Sequence, residues 1–389
     1  MQNFTFQNPT QIIFGRHTIP QIGEETLKYG HKALLVTGRS SIKTSGVYDT
    51  VVTSLRDAEV EIVEYSGVQS NPVLSHVKEG VTVAQCEQVD VIVAAGGGSV
   101  LDESKAIAAG VKNDGELWDY FLGTKTVQDA LPVLTVLTLA ATGSEMNCGG
   151  VVTNEETKQK FNIVSPFLFP KVSILDPTTT FSVPKDYTAY GAIDAISHII
   201  EGYFTCSDPW LPIQDRYVEG LIKSIIESTE KVMKNPEDYQ GRATLMWAAT
   251  LALNGLPVAG IGPYGFPNHA IEHSLSALYD IAHGAGLSIV IPGWMTYASR
   301  KNPTKFAQFA QRVFHIVTED SPEKTAEKGI NALRSWFQQL DSPVTLAEGN
   351  IPADDIDMIA ANATMLAKKW GLTDDYAKED IAEVLTLCQ

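Results

Sequence analysis

The chain is poor in the features that mark the more specialised protein classes. Its four cysteines, Cys86, Cys148, Cys206 and Cys388, show neither a CxxC spacing nor a dense framework. That argues against a disulfide-stapled scaffold and a thiolate zinc site, and fits reduced thiols in a cytoplasm. No stretch approaches the run of about 18 apolar residues that a membrane span needs, so no membrane is expected as a partner. The N-terminal MQNFTFQNPT has neither the basic nor the apolar segment of a signal peptide. Basic residues are scarce: 29 against 46 acidic ones give a formal charge of −17, which disfavours nucleic acid and anionic surfaces as partners. Internal repeats and low-complexity segments are also lacking. What remains is a globular composition, 44% hydrophobic and 19% charged, on 389 residues, long enough for two domains.

The hydrophobic pattern changes character part way along. Residues 4–14 read as short β segments broken by Asn8-Pro9, followed by a helix at about 17–29. Short apolar runs at 33–37, 60–64, 90–95 and 133–138 alternate with helical stretches at 46–57, 72–85 and up to 109. Apolar runs of this length bounded by turns mark buried parallel strands, so residues 1–181 are expected to form an α/β domain. Beyond Asp176-Pro177 the periodicity is helical, in stretches at 186–204, 211–234, 241–253, 268–278, 284–299, 304–317, 322–340 and 352–369. Asp186 and Ser321 are the expected N-caps. Residues 182–389 are therefore expected to be all-helical.

Three glycine- or histidine-bearing stretches carry chemistry. GFPNHAIEHSLSALYDIAHGAGLSIVIP, residues 265–292, holds three of the eight histidines, His269, His273 and His283, the last just before a flexible-looking Gly284-Ala285-Gly286. His269 and His273 are four apart, as are Asp194 and His198 in YGAIDAISHIIEGYF, so each pair shares one helical face. One carboxylate with several imidazoles suits Fe(II) or Zn(II) rather than Ca(II). The spacing fits a helix-surface pair and hydrogen-bonded core imidazoles equally well. Upstream, Gly96-Gly97-Gly98-Ser99 sits between an apolar strand and a helix, where a bare backbone and free N–H groups can receive a pyrophosphate. It is not the G-x-G-x-x-G fingerprint, and a tight turn is the alternative.

DAISH, followed by HAIEHSLSA and AHGAG, resembles the iron-containing (group III) alcohol dehydrogenase family, close to its butanol dehydrogenase-like branch, and the resemblance covers nearly the whole chain. It implies a dehydroquinate synthase-like dinucleotide-binding domain ahead of a helical metal-binding domain. By the resemblance the metal ligands are Asp194, His198, His269 and His283. GGGSVLDESKAIA is similar to the family's pyrophosphate loop. Carried over, Gly97, Gly98 and Ser99 contact the pyrophosphate, Asp102 lies near the nicotinamide ribose, Thr138 and Thr142 line the cofactor, and Lys160 reaches a ribose. In this family the residue after the first-strand Thr faces the adenosine ribose, and an Asp there repels a 2′-phosphate. Here that residue is Gly38, followed by Arg39, Ser40, Ser41 and Lys43, a set that favours NADP(H) over NAD(H), with a solvent-facing Arg39 as the alternative.

The implied activity is metal-dependent hydride transfer between NADP(H) and a primary alcohol or aldehyde such as butanol or butanal. Trp247, Tyr264 and Phe266 suggest a medium-length aliphatic chain. His273, one turn from His269, is assigned a proton-relay or substrate-polar role, with a structural imidazole as the alternative. Ligand imidazoles must be neutral to bind, so activity should fall in acid. The competing readings are a glycerol dehydrogenase-like zinc enzyme, a dehydroquinate synthase-like enzyme, and a catalytically silent nucleotide- or metal-binding protein. Few Lys or Arg cluster near the His motifs, which counts against the second. A homodimer is expected, paired through the N-terminal β segments.

Overall fold

The structure, a computed structural model, describes residues 1–208 and 210–389. Strands β1 (Gln11–Phe14), β2 (Lys32–Thr37), β3 (Glu61–Ser66), β4 (Val91–Gly96), β5 (Val133–Leu137), β6 (Gly149–Asn154), β7 (Gln159–Val164) and β8 (Val172–Leu175) occupy the first part of the chain. They interleave with helices α1 (Ile22–Leu27), α2 (Ser41–Thr44), α3 (Val47–Asp57), α4 (Leu74–Cys86), α5 (Gly98–Lys112) and α6 (Trp118–Leu122). The rest is helical: α7 (Lys185–Thr205), α8 (Pro212–Lys234), α9 (Tyr239–Ala252), α10 (Pro267–Tyr279) and α11 (His283–Ser299), then α12 (Pro303–Val313), α13 (Pro322–Gln339), α14 (Ile356–Lys369) and α15 (Lys378–Thr386). Among the described residues no helix is long and apolar enough to cross a membrane.

The chain divides into a sheet unit, Gln7–Val183 with Lys234–Asn254, and a helical unit, Met1–Phe6 with Pro184–Met233 and Gly255–Gln389. A single boundary at 181/182 misses two exchanges. Gln2 N–H donates to the Gly260 carbonyl at 2.9 Å, which fastens the first residues to the helical unit. Helix α9 belongs to the sheet unit, where Thr250 Oγ1 donates to Glu145 Oε1 at 2.5 Å. Local periodicity identifies a helix but cannot say which core it joins.

In the sheet unit six parallel strands run in the order β1-β8-β5-β4-β2-β3. The central strands are apolar on both faces because helices cover both: Ala33, Leu34, Leu35 and Val36 of β2, and Val91 to Ala95 of β4, are at most 1% exposed. From β2 the chain steps outward to β3, then returns to place β4 on the other side of β2. The order therefore reverses between β2 and β4, and ligands of open α/β sheets bind at the strand carboxyl ends of such a point. Gly38 follows β2 and Gly97 follows β4, so the cofactor motifs flank that crevice. A separate antiparallel hairpin, β6 and β7, carries Lys160.

Several local expectations are corrected. Of residues 4–14 only Gln11–Phe14 is a strand; Asn8 Nδ2 instead donates to the carbonyls of Met146 at 2.8 Å and Asn254 at 3.2 Å, as the proline beside it blocks a ladder. The helix expected at 17–29 is a 3-10 turn, Ile19–Gln21, leading into α1, after a left-handed His17. Pro184, not Asp186, caps α7, and Asp186 sits in its first turn, where its charge suits the helix dipole. Ser321 is at the N-cap of α13 without a side-chain capping bond. Gly284 and Gly286 are helical rather than flexible. A Cβ on Gly284 would lie 2.2 Å from the Tyr190 carbonyl oxygen, and one on Gly286 2.6 Å from Glu272 Oε1, so both permit close approach of α11 to its neighbours.

Candidate metal and cofactor sites

In the helical unit α7 presents Asp194, His198 and Glu201 along one face, at spacings of four and three residues. Helix α10 presents His269, Glu272 and His273, and α11 begins with His283. Asp280, in the left-handed conformation, ends α10 and turns the chain so that α11 starts beside it.

The Nε2 atoms of His198, His269 and His283 lie 3.5, 3.8 and 3.5 Å from Asp194 Oδ1. These separations are long for hydrogen bonds. They are close to the edge, about 3.3–3.4 Å, of a tetrahedron with metal–ligand bonds of 2.0–2.1 Å. Asp194, His198 and His269 are 2–6% exposed, and among the described residues Asp194 Oδ1 and His269 Nε2 have no hydrogen-bond partner. Buried polar atoms pointing at one another without bonding need a shared partner, and three imidazole nitrogens with one carboxylate oxygen fit Fe(II) or Zn(II).

Two further carboxylates hold two of these imidazoles. Glu201 Oε1 is 3.0 Å from His269 Nδ1, and Glu272 pairs with His283 Nδ1 while accepting from Ser276 Oγ. Each leaves the Nε2 of its histidine for ligation. Glu272, His273 and His283 also offer ligand atoms within 4.8 Å of one another, but Glu272 is already held by His283 and Ser276. Sequence reading missed both carboxylates; their only signal was an acidic residue inside an apolar helix. Burial would raise the Asp194 carboxyl, but His198, His283 and His269 outweigh it and bring it down to about 2. Burial lowers His198 to about 4 despite Asp194, whereas Asp194 and Glu201 overcome burial at His269 and lift it to about 9.

His273 is 4% exposed, with its ring centroid 6.0 Å from His269, 5.6 Å from His283 and 5.8 Å from Trp370. Phe266 stands edge-on to His269 at 5.5 Å and meets Tyr264 at 5.6 Å. Trp247 does not join them: it lies on α9 in the sheet unit, edge-on to Phe14 at 6.0 Å.

In the sheet unit Gly97 caps the N-terminus of α5, and Gly98 and Ser99 form its first turn. A Cβ on Gly98 would lie 2.3 Å from Thr142 Oγ1, so the glycine lets the loop carrying Thr138 and Thr142 close over the helix start. Ser99 Oγ donates to the Ser70 carbonyl, and Thr138 N–H to the Gly96 carbonyl at 2.9 Å. Both Asp102 oxygens are engaged within the fold, accepting from Ser144 Oγ at 2.6 Å and Val151 N–H at 3.0 Å. Fully buried Lys105 donates to Ser144 Oγ and to the Asn147 and Gly149 carbonyls, and burial lowers it to about 8 against the pull of Asp102. Lys160 Nζ donates to Asn71 Oδ1 at 3.1 Å. Gly38 and exposed Arg39 and Ser40 follow β2, and Arg39 Nη2 donates to Gln69 Oε1 at 3.3 Å. Ser99, Lys160 and Arg39 thus converge on one loop, residues 67–71.

Comparison with known proteins matches the same two regions. The sequence model described as iron-containing alcohol dehydrogenase matches residues 9–177, and that of the C-terminal part of the Fe-containing alcohol dehydrogenase family matches residues 188–388. The chain is 44% identical to the probable NADH-dependent butanol dehydrogenase 1 of Bacillus subtilis over 99% of both chains. It is 35% identical to the NADPH-dependent aldehyde reductase of Escherichia coli, over 92% of this chain and 91% of that one. The crystal structure of NADH-dependent butanol dehydrogenase A from Thermotoga maritima superposes with a TM-score of 0.94 at 47% identity, covering 100% of this chain and 99% of the other.

Proposed function

Because the chain belongs to the iron-containing alcohol dehydrogenase family, we propose that it exchanges hydride between a nicotinamide dinucleotide and a primary alcohol or aldehyde of medium length, such as butanol or butanal. The observation that carries this reading is the buried convergence of His198, His269 and His283 on Asp194.

Asp194, His198, His269 and His283 would hold Fe(II) or Zn(II), which supplies a Lewis acid for the substrate oxygen. Glu201 and Glu272 fix the tautomers of His269 and His283. Gly97, Gly98 and Ser99 would bind the pyrophosphate, with Thr138, Thr142 and Lys160 lining the cofactor, whose nicotinamide gives or takes the hydride. Asp102 and Lys105 position the 142–149 segment, through which Thr142 is held. Reducing an aldehyde consumes a proton as well as a hydride, and His273, beside His269 and His283, is assigned to deliver it. Phe266, Tyr264 and Trp370 supply an apolar wall next to these imidazoles, which suits an aliphatic chain.

On the nucleotide, NADP(H) is favoured by Gly38, which bears no carboxylate, and by the neighbouring Arg39, Ser40 and Lys43; the two butanol dehydrogenases above carry NADH in their names and the aldehyde reductase NADPH. A homodimer in the cytoplasm completes the reading, on the edge strand β1 and the four free thiols. The test is metal analysis of anaerobically purified protein together with rates on a panel of aldehydes with NADPH and NADH. Metal-free protein with no turnover of any aldehyde would overturn it.

A further inference from the structure

The sheet unit holds a buried acid–imidazole pair outside the residues considered so far. Glu103, on α5, is fully buried, and His76, on α4, pairs with it through Nδ1 while keeping 21% of its side chain exposed. Among the described residues Glu103 Oε2 has no hydrogen-bond partner, so His76 is what compensates the buried carboxylate. The two helices can approach because Gly80, one turn after His76, has no side chain: a Cβ there would lie 2.5 Å from Ile107 Cδ1 and 2.9 Å from Tyr65 Cε1. Tyr65 stacks on the His76 ring with centroids 4.6 Å apart, and its hydroxyl donates to the His76 carbonyl at 2.6 Å.

The other edge of the imidazole faces Gly67, where a Cβ would stand 3.3 Å from His76 Nε2 on a backbone with φ of +116°. Gly67 N–H donates to the carbonyls of Thr37 at 3.1 Å and Gly38 at 3.3 Å, and Val68 N–H to Thr37. Gly67 also opens the loop whose Gln69, Ser70 and Asn71 receive Arg39, Ser99 and Lys160. His76 therefore braces, from behind, the segment on which the three expected cofactor-binding side chains rest.

We propose that His76, anchored by Glu103 and stacked on Tyr65, is a positioning residue for the adenosine end of the nicotinamide dinucleotide, holding residues 67–71 against the end of β2. The proposal rests on the cofactor assignment made above. It acts on binding of the nucleotide and not on the hydride step, because what the pair supports is the loop at residues 67–71 that receives Arg39, Ser99 and Lys160.

The test is direct titration of NADPH and NADH by fluorescence, alongside steady-state kinetics, on the wild type, His76→Ala, His76→Asn, Glu103→Gln and the double variant His76→Ala with Glu103→Gln. Loss of a brace made of one hydrogen bond to a buried carboxyl and one stack should raise both dissociation constants about tenfold in His76→Ala. The kcat at saturating cofactor and the KM for aldehyde should stay within about twofold, a split that general destabilisation would not produce. His76→Asn, whose amide can still donate to Glu103, should recover part of the loss. Glu103→Gln should weaken binding by itself but add little on top of His76→Ala, because both remove one contact. Unchanged dissociation constants in folded His76→Ala overturn the proposal, as does a parallel fall of kcat. Should His76→Ala not fold, unchanged binding in both His76→Asn and Glu103→Gln overturns it. A wild type that binds neither nucleotide overturns the cofactor assignment and this proposal together, whereas normal wild-type binding with unaffected variants overturns this proposal alone.

Discussion

Glu201 holds His269 at two points, accepting from its backbone N–H at 3.0 Å and facing its ring Nδ1 at 3.0 Å. One carboxylate thus fixes both where the first turn of α10 sits and which ring nitrogen is free. Burial raises the Glu201 carboxyl, and its bonds to His269 oppose that rise. Replacing Glu201 with Gln preserves the volume and removes the charge. Metal affinity should then fall roughly ten- to hundredfold, as for other partners of metal-bound histidines. Chelator competition on the folded variant measures it, and a wild-type affinity would mean that Glu201 only fills space.

His283 is the most accessible of the four candidate ligands, with 22% of its side chain exposed against 4–7% for the others. It starts a helix and lies outside the core, so His283→Ala should fold normally, lose most of its metal and fall to background activity. His269→Ala should do the same to metal and activity, with a larger stability loss because it is buried. Stripping the wild type with a chelator should lower its melting temperature, since metal at about 100 times its dissociation constant contributes roughly 2.7 kcal/mol. Metal content and melting temperature unchanged in both variants would remove these residues from the ligand set.

The parallel sheet was readable because its strands are buried on both faces. Residues 33–36 and 91–95 are unbroken apolar runs, and nothing else in a chain of this composition needs them. Spacing made two pairs readable, Asp194 with His198 and His269 with His273, since four residues on a helix is one turn; the grouping of Asp194, His198, His269 and His283, proposed above to hold a metal, came from the family motifs. What could not be read has physical reasons. Strand β8 is four residues long between Pro170 and Pro177, too short for alternation to register. The hairpin β6–β7 carries charged and amide residues along with its apolar ones, and only its pairing reveals it. Helix α15 is short and acidic at its start, stabilised by Asp380 accepting from Ala377 N–H at 2.9 Å, a bond that no periodicity shows. Glu103 and His76 are 27 residues apart and become a pair only when Gly80 lets α4 meet α5.

The edge of the sheet leads to a prediction on assembly. Among the described residues strand β1 bonds β8 on one side and no other strand on its outer side, and a free edge is a template for pairing. A homodimer is expected by sedimentation at micromolar concentration. Ile12→Pro or Phe14→Pro should weaken it if β1 carries the interface, because Gln11 and Gly15 donate to β8 and the alternate N–H groups point outward. A monomeric wild type would end the proposal, and a dimer indifferent to both prolines would move the interface elsewhere.

The nucleotide preference can be tested at a position where the fold leaves room. A Cβ on Gly38 would meet the Val68 carbonyl oxygen at 3.7 Å and Val100 Cγ2 at 3.8 Å, ordinary contacts, so Gly38→Asp adds a charge without displacing the backbone. The wild type offers cations there: Arg39 is exposed, bonded to Gln69, and Lys43 Nζ stands over the Tyr48 ring at 4.8 Å. One hydrogen bond to a 2′-phosphate, at about 1.5–3 kcal/mol, would give roughly a ten- to hundredfold preference. The expected outcome is a lower KM for NADPH than for NADH. Gly38→Asp should narrow or reverse that gap, because its carboxylate repels the phosphate and can accept from a 2′-hydroxyl instead. The preference should weaken in high salt, since exposed charges are screened over about 10 Å or less. Equal kcat/KM for the two nucleotides in the wild type, unchanged in Gly38→Asp, would show that the end of β2 does not read the 2′ position. NADH would then be as good a cofactor as NADPH, in line with the butanol dehydrogenases this chain resembles.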